Sequence, residues 1–135
     1  LCDRRQRQMC IRDRSIPGCV IVSGDTPKKE RERILEMFKV GEIPVVANVG
    51  VLTTGFDYPE LDTVVMARPT MSLAMYYQIV GRCIRPHKDK EAAWFVDLCG
   101  NINRFGEVSD LHLKDTGNGK WAVFSRGRQL TNVRF

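Results

Sequence analysis

Apolar residues along the chain fall in short unbroken runs, separated by polar stretches with a helical period. Cys19-Val20-Ile21-Val22, bounded by Gly18 and Ser23-Gly24-Asp25, reads as a strand buried on both faces of a parallel sheet. Thr26-Pro27 opens a helix that extends to about Val40, with Thr26 as its cap and Pro27 at the first helical position. Ile34, Leu35, Met37 and Phe38 form its apolar side, and Gly41 ends it. Its charges, Lys28 to Arg33 and Glu36, read as a solvated face, Arg31 being the one with a further use open to it. Residues 43–47 are a second buried strand, with Pro44 tolerated near its start. Residues 63–66 are a third strand, 71–84 a second helix capped by Ser72, and 92–98 a fourth strand. Strands alternating with helices predict an α/β fold with a parallel sheet flanked by helices. Ligands of such sheets bind beyond the carboxyl ends of the strands, where residues 48–57 and the end of 94–98 fall.

After Gly106 the pattern changes. Leu111-His112-Leu113-Lys114 and Trp121-Ala122-Val123-Phe124 flank Asp115-Thr116-Gly117-Asn118-Gly119, a β-hairpin signal. Ser125-Arg126-Gly127-Arg128 is a further turn. The division predicted is 1–14, 15–106 and 107–135, the last a small accessory β-hairpin extension.

The second helix carries the most chemistry. Pro86 stops it and pushes Arg85 out of the α region. Gln78, Arg82 and Arg85 stand at i, i+4 and i+7 and share one face, while Ile79, Val80, Cys83 and Ile84 form the face to be buried. Gly81 leaves the backbone bare beside Arg82, so a neighbour or ligand can approach. Two planar guanidiniums and an amide on one edge suit a polyanion; a solvated basic face fits the same spacing.

Composition adds limits. Hydrophobic residues at 43% and charged residues at 27% are those of an ordinary globular domain. No apolar run approaches the ~18 residues of a membrane span, there is no secretory start, and the setting expected is cytoplasmic with no membrane partner. The opening 14 residues hold five arginines against two aspartates, so +3 of the net +5 lies there. A basic arm for phosphates is one reading. The other, preferred, is a non-native segment like translated sequencing-adapter read-through, which makes the chain a fragment whose true start lies upstream. Cys19, Cys83 and Cys99 are isolated, and His87 and His112 lack neighbouring ligands, so buried free thiols and no metal site are expected.

Two stretches resemble a known family. Ala47-Asn48-Val49-Gly50-Val51-Leu52-Thr53-Thr54-Gly55-Phe56-Asp57 is similar to motif V, and Gln78-Ile79-Val80-Gly81-Arg82-Cys83-Ile84-Arg85 to motif VI, of the C-terminal RecA-like domain of superfamily 2 (DEAD/DEAH-type) helicases. The likeness covers about Gly18 to Gly106 and is nearest to phage-type and restriction-type helicases. It implies that two RecA-like lobes close on ATP, this one presenting Arg85 as arginine finger with Arg82 beside it. It implies that Gln78 senses nucleotide or orients water, and that Gly55 and Asp57 meet the nucleotide, Asp57 through ribose hydroxyls or an arginine. Thr53, Thr54 and Arg68, with Thr70 a further candidate, would touch the nucleic-acid backbone, DNA being expected and RNA open. Plainer readings are a turn glycine at Gly55, a cap at Thr53 and an Asx-turn at Asp57.

The chain has no Gly-x-x-x-x-Gly-Lys-Ser/Thr loop and no Asp-Glu-x-His/Asp stretch. The resemblance therefore assigns the phosphate cradle and Mg2+ to an N-terminal lobe of the same protein, and by itself this polypeptide should not hydrolyse ATP. The ending Gly127 to Val133 resembles the run before a distal extension in phage-type relatives, which implies a cut C-terminus. A translocating ATPase of a restriction or remodelling complex, or a non-catalytic nucleic-acid-binding module, remains open.

Overall fold

The computed structural model describes residues 16–52 and 56–134, with side chains as far as 130. The chain forms two compact units, one reaching to Phe56 and the other starting at Asp57.

The first unit is a β–α–β module. β1 (Cys19–Val22) and β2 (Val45–Asn48) pair in parallel, Cys19 opposite Val45 and Val22 opposite Asn48. The predicted β1 is observed; β2 starts later than expected, because Pro44 has no N–H to give to the ladder. Between them runs α1 (Lys28–Lys39), which has no buried residue. Thr26 does not cap it. Pro27 is the residue at the cap, and the Thr26 hydroxyl accepts from the Ser23 N–H instead, closing the preceding turn. The other end follows the expectation for Gly41. In the left-handed region at φ 81°, Gly41 donates to the Phe38 carbonyl and Glu42 to that of Met37, the two bonds of a Schellman motif.

The second unit opens with another β–α–β module. β3 (Thr63–Met66) and β4 (Trp94–Asp97) are parallel, Thr63 facing Trp94 and Met66 facing Asp97. α2 (Leu73–Cys83) joins them, and the Ser72 hydroxyl accepts from the Met75 N–H at 3.2 Å, the predicted cap. The α/β class with parallel strands is thus the one observed, here as one parallel pair in each unit.

The core of the second unit gathers Met66, Tyr76, Val80 and Phe105, with Leu73, Ile79, Phe95, Ile102, Val108 and Leu130 packed on it. Tyr76 is at its centre. Its ring stacks on Phe105 at 5.2 Å and meets Phe95 edge-on at 5.9 Å, while its hydroxyl donates to the Gly106 carbonyl at 2.8 Å. The buried stripe of α2 is therefore Tyr76, Val80 and Cys83. Ile84, assigned to that stripe from its spacing, is 50% exposed, because the helix ends at Cys83 and the periodicity ends with it.

A short helix not anticipated from the sequence, α3 (Asn101–Phe105), follows β4 and leads into a 3-10 turn at Val108–Asp110. The C-terminal extension is a three-stranded antiparallel sheet rather than a hairpin: β5 (His112–Gly117), β6 (Lys120–Ser125) and β7 (Arg128–Arg134) in that order. Its two loops are both two-residue turns with positive φ, Asn118-Gly119 and Arg126-Gly127. The sheet is anchored on the unit's core through Leu130. At Gly106, φ is 85° and an added Cβ would lie 1.9 Å from the Ser125 hydroxyl, so only glycine fits between α3 and β6.

Candidate phosphate-facing site at the end of α2

The residues singled out in motif VI follow the geometry of α2. Burying Tyr76, Val80 and Cys83 rotates the opposite side outward. Gln78 is exposed on that side, and Arg82 is half-buried near the helix's last turn. The last helical bond runs from the Ile84 N–H to the Val80 carbonyl, and Arg85 lies beyond it, immediately before Pro86. Arg85 thus leaves the helix axis, as the proline predicts.

Arg85 and Asp57 are 28 positions apart, and the fold brings them together: an Arg85 guanidinium nitrogen donates to an Asp57 carboxylate oxygen. Both side chains remain substantially open to solvent. An exposed pair of this kind is worth only about 0–1 kcal/mol, so it orients the guanidinium without locking it. A more negatively charged phosphate can take Arg85 from Asp57 at little cost. Of the two partners open to Asp57, ribose hydroxyls or an arginine, the second is the one it meets here.

Lys90 builds the surroundings of this pair. Its ammonium donates to the Pro59, Leu61 and Cys83 carbonyls at 2.9, 3.1 and 2.7 Å. The Cys83 carbonyl is one of those a helix end leaves without a partner, and a cation there also meets the negative end of the helix dipole. Cys83 itself is buried, and burial pushes its thiol above the ordinary value. It is a core residue. Cys19 and Cys99, expected to be buried, are only half-buried, though free.

The segment from Arg68 to Thr70 is held from behind. Asn101, fully buried, accepts from the Thr70 N–H at 2.9 Å and donates to the Arg68 carbonyl and to Asp97. Arg104 donates to the Thr70 carbonyl. Asp97 in turn accepts from the backbone N–H groups of Cys99 and Ile102. Burial raises the Asp97 carboxyl, but the bonds from Ile102, Asn101 and Cys99 outweigh it and hold the group below its ordinary value. The backbone of 68–70 is thus held by three side-chain bonds, with the Arg68 side chain exposed. Thr70 faces inward: it is 8% exposed, and its hydroxyl accepts from the Ser72 N–H and donates to the Met75 sulfur.

Of motif V, the structure describes 47–52 and 56–57. Asn48 ends β2 and its side-chain oxygen accepts from the Leu52 N–H. Thr53, Thr54 and Gly55 lie outside the described residues.

The model of the helicase conserved C-terminal domain matches residues 2–87, well over half of the chain. The chain belongs to this family. The matched span includes both motif V and motif VI, and also the opening residues that the composition sets apart. Over 79 residues, 58% of this chain, it is 38% identical to IRC3 of Saccharomyces cerevisiae, a protein named as an ATP-dependent helicase. Over 104 residues, 76% of this chain, it is 34% identical to a 51.5 kDa protein of a Lactococcus phage. The chain spans only 12% and 23% of those two proteins. Among solved structures, the C-terminal domain of the DEAD-box protein Dbp5 aligns with a TM-score of 0.49 at 24% identity, covering 72% of this chain and 56% of that one.

Helicase relatives use ATP. Among the described residues no group of three or more His, Cys, Asp or Glu side chains is arranged to hold a metal ion. The cations at this end of α2 are Arg82, half-buried, and Arg85, paired with Asp57. No described helix is long and apolar enough to cross a membrane.

Lys90, Asn101 and Arg104 were missed in the sequence. A lysine in the polar run His87-Lys88-Asp89-Lys90 has nothing to mark it as engaged. Asn101 follows Gly100 as any turn residue would, and only its full burial distinguishes it.

Proposed function

We propose that this domain is the C-terminal lobe of an ATP-dependent DNA helicase. It would bring Arg85, with Arg82 beside it, to the γ-phosphate of an ATP held with Mg2+ by a second RecA-like lobe of the same protein. The observation that carries the reading is the placing of Arg85 just past the end of α2, aimed by a weak exposed pair with Asp57. A guanidinium so held can stabilise charge developing on a transferring phosphoryl, an effect worth ~10³–10⁵ in rate. Gln78, exposed on the same side, would sense the nucleotide or orient the attacking water. Gly55 would let the backbone come close to the nucleotide. Thr53, Thr54 and Arg68 would hold the DNA backbone, contacts that read no sequence. The lobes closing and opening through each turnover would move those contacts along the strand.

The test is Arg85→Ala in the whole protein that contains this domain. Nucleic-acid-stimulated ATP hydrolysis should fall about 10³-fold or more while strand binding persists. Unchanged turnover would remove Arg85 from the role. Stimulation by single-stranded DNA set against RNA decides the polymer, and strand displacement set against ATP hydrolysis alone separates a helicase from a translocase.

A further inference from the structure

Burial does not hold Asp57 beside Arg85. No residue of the loop 57–62 joins the core cluster of the second unit, and Asp57 itself is exposed. The loop is held through its backbone and by Glu60, whose carboxylate lies 3.6 Å from the His87 ring just past α2. Leu61 donates to Tyr58, Trp94 donates to Asp62, and the Pro59 and Leu61 carbonyls converge on the Lys90 ammonium. The third bond of that ammonium goes to Cys83, in the last turn of α2 and two residues before Arg85. An ammonium has three protons, and here all three are used, each in a charge-assisted bond to a main-chain oxygen. Lys90 thus ties the segment that presents Asp57 directly to the end of α2 with three bonds, where the Glu60–His87 contact supplies one longer one.

We propose that Lys90 is a positioning residue for the phosphate-facing arginine. It fixes the 57–61 loop against the end of α2, so that Asp57 meets Arg85 and sets the direction of its guanidinium. The inference rests on reading Arg85 as the arginine that faces phosphate. With its three donors spent on carbonyls, Lys90 acts through Asp57. Methionine in its place keeps the length of the stem and removes all three bonds, freeing the loop. Arginine keeps the charge, but its planar fork does not match three carbonyls converging from separate segments.

The experiment is a double-mutant cycle on nucleic-acid-stimulated ATP hydrolysis in the whole protein, with Lys90→Met, Asp57→Ala and both together. Lys90→Met should lower kcat by up to about 5-fold, the ceiling that a weak exposed pair sets on the aim it supplies, leaving KM for ATP and nucleic-acid affinity unchanged. In the Asp57→Ala background it should cost nothing further, since residues acting through one contact are not additive. Equal losses in both backgrounds would overturn the inference, because Lys90 would then be holding the fold alone. So would an undiminished kcat in Lys90→Met. If Lys90→Met does not fold, as read by a thermal melt, Lys90→Arg takes its place in the cycle and should lose part of the same kcat, again only when Asp57 is present. Arg85→Ala separates the two ideas. If it leaves hydrolysis intact, the arginine assignment and this inference fall together; if it abolishes hydrolysis while Lys90→Met and Asp57→Ala are additive, this inference falls alone.

Discussion

The two longer helices of this domain are held in opposite ways. α1 buries none of its residues fully: Ile34, Leu35, Met37 and Phe38 are only half-buried, between a proline at the entrance and the left-handed Gly41 at the exit. α2 buries Tyr76, Val80 and Cys83, and one of these, Tyr76, reaches the centre of a core. A helix with a buried stripe has its rotation set, and with it the direction of every side chain on the far side. The candidate phosphate-facing residues Gln78, Arg82 and Arg85 are on or just beyond the helix whose rotation is set.

The comparison breaks first at Tyr76. Tyr76→Ala removes the ring from its stack and leaves a cavity, and should cost about 3–5 kcal/mol in urea unfolding. Leu35→Ala on half-buried α1 should cost only about 1 kcal/mol. Equal losses would mean that the burial contrast does not reach the energetics. Next is Gly41→Ala, which forces a side chain into the left-handed region and should cost about 1–2 kcal/mol. Ser72→Ala removes the cap of α2 and should lower stability by about 1 kcal/mol, whereas Thr26→Ala should leave the helicity of α1 unchanged.

A sharper test lies at Gly81. An added Cβ there meets nothing within 4 Å. Gly81→Ala should therefore stabilise α2 by about 0.5–1 kcal/mol and at the same time depress ATP hydrolysis, if a phosphate or second lobe approaches the bare backbone. A gain in stability with no loss of turnover would show that nothing approaches.

The smallest effect expected is on pH. Asp97 has its folded value held below the ordinary 3.8, so its contribution to stability is present above that ordinary value and is lost as pH falls through the lower, folded one. Asp97→Asn should flatten the acid limb of a stability profile and leave α2 in place.

These contrasts were partly legible in the chain. β1 and β3 read directly, because continuous apolar runs between glycine and polar residues leave one assignment. The Ser72 cap and the Pro86 stop read equally well, being local chemistry. The buried face of α2 was half right: Val80 and Cys83 follow the period, but Tyr76 has a hydroxyl that disguises it as a surface residue until Gly106 is found to accept from it. α3 is five residues long, too short for a period to show, and a carboxylate in the preceding strand secures its start. β7 reads Arg128-Gln129-Leu130-Thr131-Asn132-Val133-Arg134, whose two apolar residues stand three apart and so show no strand alternation. The Lys90 clamp is made of main-chain oxygens, which no residue pattern displays. Of the candidate residues, Arg82, Arg85 and Asp57 could be named as candidates from the sequence, while the carbonyls that gather on Lys90 beside them could not.

The seating of Leu130 on the core has a bearing on how this domain can be produced. A chain trimmed after Gly106, a natural place to cut by composition, would lose the cover that Leu130 and Val108 give to Tyr76 and Phe105. Such a product should bind hydrophobic dyes and self-associate as it is concentrated, while its α/β modules stay formed. The C-terminal sheet is then best treated as a fixed lid, kept in every expressed version of the domain.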